Sequence, residues 1–367
     1  MIIKSIELTD YRNYESLTLS FDPGTNILYG DNAQGKTNIL EAIYVAATTK
    51  SHKGSHDSDM VRFGAEEAHI RTYLDKEQVE TRVDMHLRKS KAKGIAIDGQ
   101  KIKKAQELMG LCRVVFFSPE DLSIIKDGPA NRRRFIDMEL CQLDQFYLYN
   151  LSNYNKIINQ RNQLLKDIYF NPSLADTLTI WDDQLVSYGC KIIERRREFV
   201  SQIAEIIQDK HSKISGGKEK LEIFYEPDVE ENDFARKLAQ NQDRDRKSKM
   251  TSAGPHRDDF CFRIGDVDIR KFGSQGQQRT AALSLKLSEI DLVKKLSGDS
   301  PILLLDDVLS ELDSSRQNFL LSSIGDIQTI ITCTGVEDFV NNRFTVNKVF
   351  RVEGGTVVSA NPTDSEE

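Results

Sequence analysis

The chain has 367 residues and a formal net charge of −7, with 39% hydrophobic and 29% charged residues. That balance belongs to a globular protein long enough for two or three lobes, and it excludes a chain coated in basic surface. It leaves nucleic-acid binding open, because a local basic patch is enough to neutralise phosphates. The five cysteines (Cys112, Cys141, Cys190, Cys261, Cys333) are scattered and form no C-x-x-C, which speaks for reduced thiols and against a disulfide framework or zinc site. No apolar run approaches the ~18 residues that span a bilayer. The first residues read as strand and not as a secretory leader. A soluble, cytoplasmic protein with no membrane partner is the expectation.

In chain order, Ile2 to Leu8, Leu17 to Phe21 and Asn26 to Tyr29 read as strands. A helix starts near Lys36, with Ile39, Leu40, Ile43 and Tyr44 at helical spacing. Residues 66 to 100 read as antiparallel strands with a hairpin turn at Asp98-Gly99, and Val114 to Phe117 as a buried strand. From about Asn131 to His211 the pattern turns helical. Phe135, Met138, Leu140, Phe146, Leu148, Leu151 and Tyr154 supply an apolar face, and a second pattern runs from Trp181 to Ile207. Pro172 marks a break, so the expectation is two long helices forming an arm. Residues 226 to 252 read as a polar helix with mobile flanks. Strands return at Pro301 to Leu305, Gln328 to Thr332, and a closing hairpin of Val349 to Val352 with Thr356 to Val358. The tail from Asp364 to Glu367 reads as disordered.

The chemistry concentrates in Gly30-Asp31-Asn32-Ala33-Gln34-Gly35-Lys36-Thr37, a full match to G-x-x-x-x-G-K-[ST] between an apolar strand and a helix. Glycines let the backbone turn its N–H groups toward phosphates, and the helix presents its positive end to the same anion. Lys36 adds a point charge at the β/γ-phosphates, and the Thr37 hydroxyl suits Mg²⁺. Ile302-Leu303-Leu304-Leu305-Asp306-Asp307 reads as a Walker B strand. Asp306 would hold the metal and Asp307 would activate water. ATP and Mg²⁺ are the cofactors this implies, with Lys36 and Asp307 as the catalytic pair.

The two motifs lie at opposite ends of the chain, with a large helical insert between them. That arrangement resembles ABC ATPases of the SMC type. Gly273-Ser274-Gln275-Gly276-Gln277-Gln278 resembles the ABC signature, whose helix N-terminus caps the γ-phosphate held by a partner subunit; the bland alternative is a polar N-cap on an ordinary helix. Ser310-Glu311-Leu312-Asp313 falls at the D-loop position. The expected fold is α/β, an ABC-type P-loop ATPase head with a mixed sheet and helices. Residues 1–125 and 290–367 would form lobe I, and residues 126–289 an inserted, mainly helical lobe II.

Three further segments resemble the RecF family of bacterial DNA repair proteins: Tyr11-Arg12-Asn13-Tyr14, Ser118-Pro119-Glu120-Asp121-Leu122 through Arg132-Arg133-Arg134-Phe135, and Gly254-Pro255-His256-Arg257-Asp258-Asp259. With the other motifs, the resemblance spans essentially the whole chain. It implies an ATP-dependent homodimer and binding of double-stranded DNA near single-strand gaps. It also implies help in loading recombinase there, together with RecR and RecO. By the same analogy Arg12 and Asn13 sit near the nucleotide base, with a surface loop as the alternative. The sequence departs from the general ABC pattern twice. Asp307 stands where a Glu is usual, and no switch His follows in Ile331-Thr332-Cys333-Thr334-Gly335.

Two charge runs stay ambiguous at this level. Arg132, Arg133 and Arg134 follow Gly128-Pro129 at a helix start; the plain reading is a solvated helix start, but cations are unfavourable there, and that small cost points to a compensating anion: a DNA phosphate, an acidic neighbour such as Asp137, or an inter-lobe ion pair. Arg195-Arg196-Arg197 reads as a solvated helix more readily than as a DNA site. His256 and Arg257 carry no assignable role. A transporter nucleotide-binding subunit, a structural SMC-type protein and a small-molecule P-loop kinase are the rival readings. The helical insert, the shortness of the arm and the lack of a phosphoacceptor site count against them in turn.

Overall fold

Period-two burial opens the chain. In β1 (Ile2–Tyr11) the residues Ile3, Ile6, Leu8 and Tyr11 are buried, and a register shift between Ile3 and Ser5 keeps Ile3 on the same face as Ile6. The structure is a computed structural model that describes residues 1–335 and 345–360; the tail expectation at Asp364 to Glu367 lies outside the described residues. β2 (Tyr14–Ser20) and β3 (Thr25–Tyr29) follow, then α1 (Lys36–Thr48), β4 (Glu67–Lys76), β5 (Val79–Arg88), β6 (Gly94–Ile97), β7 (Gln100–Lys101) and β8 (Val114–Phe117). Asp98 and Gly99 both have positive φ and close the β6–β7 hairpin as the sequence suggests. Glu77 and Gln78 do the same between β4 and β5 without the usual Asn-Gly signal.

The helical stretch departs from the two-helix expectation. α2 (Leu122–Lys126) and α3 (Pro129–Leu143) precede α4 (Gln145–Phe170), and only α4 and α5 (Leu178–Ile214) are long. Asp144 breaks the pattern: its backbone is extended, and its side chain accepts from the N–H groups of Phe146 and Tyr147, capping α4. Phe146 is therefore 82% exposed, outside the apolar face assigned to it. The break at Pro172 is where the sequence placed it. β9 (Leu221–Glu226), α6 (Phe234–Gln240) and α7 (Gln242–Ser248) come next. The single polar helix expected over residues 226 to 252 is thus two short ones meeting at Asn241. Its flanks are built in, with Val229, Thr251 and Ala253 buried. β10 (Asp259–Ile264), β11 (Val267–Asp268), α8 (Ile269–Phe272), α9 (Gln275–Ser297), β12 (Ile302–Asp306), α10 (Ser314–Ser323), β13 (Thr329–Cys333), β14 (Lys348–Glu353) and β15 (Thr356–Ala360) complete the described chain.

The chain divides into two units, Met1–Asp121 with Glu289–Glu367, and Leu122–Ser288. The first holds two six-stranded sheets. One is antiparallel, in the order β2-β1-β4-β5-β6-β7. The other has the order β15-β14-β3-β13-β12-β8 and is parallel except for its closing hairpin. β8, β12 and β13 are buried at every position, which explains their unbroken apolar runs. Register pairs Tyr29 with Cys333 and Asp306 with Thr332, so the carboxyl ends of β3, β12 and β13 finish level. Ligands of open α/β sheets bind outside such ends. The second unit is mainly helical but contains a three-stranded sheet, β11-β10-β9, that the sequence reading did not place.

Candidate nucleotide site

The loop from β3 to α1 is shaped by positions that need special backbone. Gly30 has φ 146, Ala33 φ 64 and Gly35 φ 114. A Cβ on Gly30 would fall 2.3 Å from the carbonyl oxygen of Val352, and one on Gly35 would fall 2.5 Å from Asn13 Nδ2. The first intrahelical bond of α1 runs from Asn38 N–H to the Gly35 carbonyl. The N–H groups of Lys36 and Thr37 therefore have no helical acceptor and remain for an anion. Lys36 Nζ donates to the carbonyls of Gly30 (2.5 Å) and Asp31 (2.7 Å), and the residue is 7% exposed. Burial lowers its pKa, opposed by the charges of Asp307 and Asp306.

Thr37 and Asp306 meet at this loop: Thr37 Oγ1 donates to Asp306 Oδ1 at 2.8 Å. Two adjacent hard oxygen atoms fit a small divalent cation beside phosphates. The same Asp306 oxygen accepts from Thr332 Oγ1 at 2.7 Å, and Thr332 Oγ1 in turn accepts from the Asp307 N–H at 3.0 Å. Asp307 has φ 53, a left-handed conformation that Asp and Asn adopt more readily than other side chains. Burial raises the Asp307 pKa, the Ser310 hydroxyl and Lys36 oppose that rise, and the charge of Asp306 adds to it. Thr332 is a site residue that sequence reasoning missed. Its only signal is a hydroxyl inside the apolar run of β13, at the strand where a switch His is usual.

The neighbouring segment divides the roles of Arg12 and Asn13. Asn13 Nδ2 donates to the Gln34 carbonyl at 3.0 Å, and Asn13 Oδ1 accepts from Asn38 Nδ2 at 2.8 Å, so this side chain braces the loop from both ends. Gln34 Oε1 accepts from Gly354 N–H at 2.6 Å, which adds the β14–β15 turn to the brace. Tyr14 places a buried hydroxyl with no hydrogen-bond partner beside Gly35. Arg12 has a different set of partners. It forms a two-pronged pair with fully buried Glu41 (both 2.7 Å) and also donates to Ser55 Oγ and the Asp59 carbonyl. Glu41, unmarked in the sequence reading, is what holds it.

In the second unit, Ser274 caps α9 reciprocally. Its hydroxyl accepts from Gln277 N–H at 3.2 Å, and Gln277 Oε1 accepts from Ser274 N–H at 2.9 Å. Gln277 Nε2 also donates to Glu219 Oε1. Ser274, Gln275 and Gly276 are exposed, and Phe272 beside them is 77% exposed. The polar cap and the open helix end are therefore both present.

The arginine runs are sorted by their partners. Arg132 is 4% exposed, pairs with both oxygens of Asp259 (2.6 and 3.1 Å), and donates to the carbonyls of Ile124, Ile125 and Asp127. It closes the C-terminal end of α2, so it is a structural residue and not a phosphate contact. Its anion is neither Asp137 nor a group in the other unit. Arg133 donates to the Asp258 carbonyl at 2.7 Å, while Arg134 is exposed. Arg196, expected on a solvated helix, is 2% exposed and bonds Asp137, Asp258, Tyr147 and the Pro255 carbonyl. Asp258 is fully buried and also accepts from Tyr225 and Asp228 N–H. Within the Gly254–Asp259 segment, Gly254, Pro255 and Asp258 are buried while Arg257 is exposed. His256 bonds the Tyr154 hydroxyl and the Thr251 carbonyl, and burial lowers its pKa to about 4.

Among the described residues, Glu67, His69 and His86 stand close enough to share a metal ion. Arg88 donates to His86 Nδ1, however, so this ring lacks the outward N–H that orients a metal-bound histidine. No helix among the described residues is long and apolar enough to cross a membrane.

A P-loop, an acidic strand end joined to it by Thr37, and a capped helix carrying a signature-like turn define an ABC-type ATPase head. The family described as the RecF/RecN/SMC N terminal domain matches residues 2–357. The DNA replication and repair protein RecF of Agathobacter rectalis is 64% identical over 97% of this chain and 99% of its own length. The solved structure of the recombination mediator protein RecF with ATP in the RecFOR pathway superposes with a TM-score of 0.92. It is 35% identical, with 98% of this chain and 97% of that one covered. An Smc head bound to the C-winged helix domain of ScpA shares the fold, at a TM-score of 0.58 and 16% identity over 99% and 98% of the two chains. The chain belongs to the RecF family.

Proposed function

We propose that this protein binds ATP and Mg²⁺ at Gly30–Thr37 and Asp306, and that ATP assembles a homodimer which holds double-stranded DNA beside single-strand gaps. Ser274 to Gln277 of one copy would meet the γ-phosphate bound by the other. RecR and RecO are the expected partners, and the outcome is assisted recombinase loading in recombinational repair and replication restart. The observation that carries this reading is the linkage Thr37–Asp306–Thr332–Asp307 beside Lys36.

Hydrolysis follows from the same residues. Lys36 and the loop N–H groups hold the phosphates, and Thr37 with Asp306 holds Mg²⁺. The Asp307 carboxylate takes a proton from the water that attacks the γ-phosphorus, and the bond to the β-phosphate oxygen breaks to leave ADP. Asp reaches one methylene less than Glu, which favours slow turnover, so that ATP acts as glue and timer of a clamp. The test is binding to gapped duplex with ATP, with ADP and without nucleotide. ATP-dependent binding supports the reading; equal binding in all three overturns it.

A further inference from the structure

The net charge of −7 means general attraction cannot bring a polyanion to this protein. With Arg132 and Arg196 themselves buried and paired with carboxylates, the positive charge must come from elsewhere. Residues 88–104 contain seven Lys and Arg (Arg88, Lys89, Lys91, Lys93, Lys101, Lys103, Lys104) against Asp98 alone. We infer that the β6–β7 hairpin and its flanks are a phosphate-binding surface for duplex DNA, with Lys101, Lys103 and Lys104 as its centre. This rests on the DNA-binding reading above and assigns it a place.

The structure sorts these charges. Lys93 anchors the base of the hairpin by donating to the Thr49 carbonyl and Asp57. Arg88 pairs loosely with Glu67 at 3.7 Å. Lys89, Lys91, Lys101, Lys103 and Lys104 are exposed. Of these, Lys89 reaches Glu66 only at 4.0 Å, a surface pair of little strength. The nearby acids are engaged with backbone: Asp98 accepts from Arg82 N–H, and Glu107 accepts from the N–H groups of Lys103 and Lys104. β7 is the last strand of its sheet, and the Asp98-Gly99 turn fixes the register that sets Lys101 on it. A strand edge presents Lys101 at lower ordering cost than a loose loop would.

Lysines on an edge strand also guard against edge-to-edge aggregation. The two roles separate by experiment. In the full-length protein with ATP, duplex affinity is measured from 50 to 200 mM salt for the native chain and for Lys101→Gln/Lys103→Gln/Lys104→Gln. Three lost contacts should flatten the slope of log K against log salt by about 2–3 and cost roughly tenfold or more in affinity at low salt. Lys103→Gln/Lys104→Gln, outside any strand, should show about two-thirds of that slope change, on the same basis of nearly one unit per contact. The triple Arg variant should bind as the native chain does. An unchanged slope in either folded Gln variant overturns the inference, as does a variant that aggregates while its soluble fraction binds normally. A native chain that binds no duplex with ATP overturns the broader reading and this surface together.

Discussion

Thr37 and Asp306 are 269 residues apart in sequence and 2.8 Å apart in the structure, joined by one hydrogen bond at the carboxyl end of the parallel strands. That bond ties the phosphate-binding loop to the acidic strand end. It is the most economical sign that the two motifs work on one ligand.

Lys36→Ala should abolish ATP binding and all ATP-dependent behaviour. The ammonium is a compact donor already aimed at the loop. Lys36→Arg should retain partial binding and lose turnover, because a planar guanidinium cannot replace a point charge in that space. Equilibrium nucleotide binding checks both; native affinity in the Ala variant would remove the P-loop assignment.

Asp307→Asn should bind ATP and hydrolyse it poorly, by about 100-fold or more if the carboxylate is the base. Asn tolerates the left-handed backbone at this position, so the fold should persist. Because burial raises the Asp307 pKa, native turnover should fall with decreasing pH at values above the ordinary aspartate range. The Asn variant should lack that limb. Native turnover in the variant would place the base elsewhere.

How much of this was legible depends on distance. The P-loop, the buried strands and the Asp98-Gly99 turn are local signals, read from a few adjacent residues. Arg132 and Arg196 were not legible. Each lies in a run of three arginines, and what selects the buried one is a carboxylate 127 residues away for Arg132 and others 59 and 62 away for Arg196. Thr332 was missed for a related reason: its role exists only when β13 lies beside β12. The basic run at 88–104 was visible as composition, yet exposure decides its meaning, and exposure required the sheet order.

Arg132→Ala should destabilise the protein by about 1–3 kcal/mol, since it removes one of the two arginines that bond Asp259, leaving Arg270 in place, and leaves three carbonyls without their donor. Its effect on DNA should track the loss of folded protein, with no change in salt slope for the folded fraction. Chemical denaturation beside salt titration separates the two. A stable variant with a flattened slope would restore Arg132 as a phosphate contact.

His256 predicts a pH dependence of stability. Its folded pKa is lowered to about 4, so as pH falls the unfolded chain takes up the proton first. The stability it contributes is complete above about pH 6.5 and is lost progressively down to about pH 4, at no more than ~1.4 kcal/mol per pH unit. His256→Gln should be less stable at neutral pH and show a shallower loss between pH 6.5 and 4 in thermal unfolding. An unchanged profile would assign the titration to other groups.

The central claim is that ATP joins two copies through the signature turn, and the mass of the Ser274→Arg variant with ATP tests it most directly. Ser274 is exposed at the start of α9, so the substitution adds bulk at the surface at the cost of one cap. Light scattering coupled to gel filtration should show the native chain and Asp307→Asn as dimers with ATP and monomers without it. Ser274→Arg should bind ATP with native affinity and remain a monomer. Dimers of Ser274→Arg with ATP would contradict the account and reduce the protein to a P-loop ATPase whose partner surface lies elsewhere.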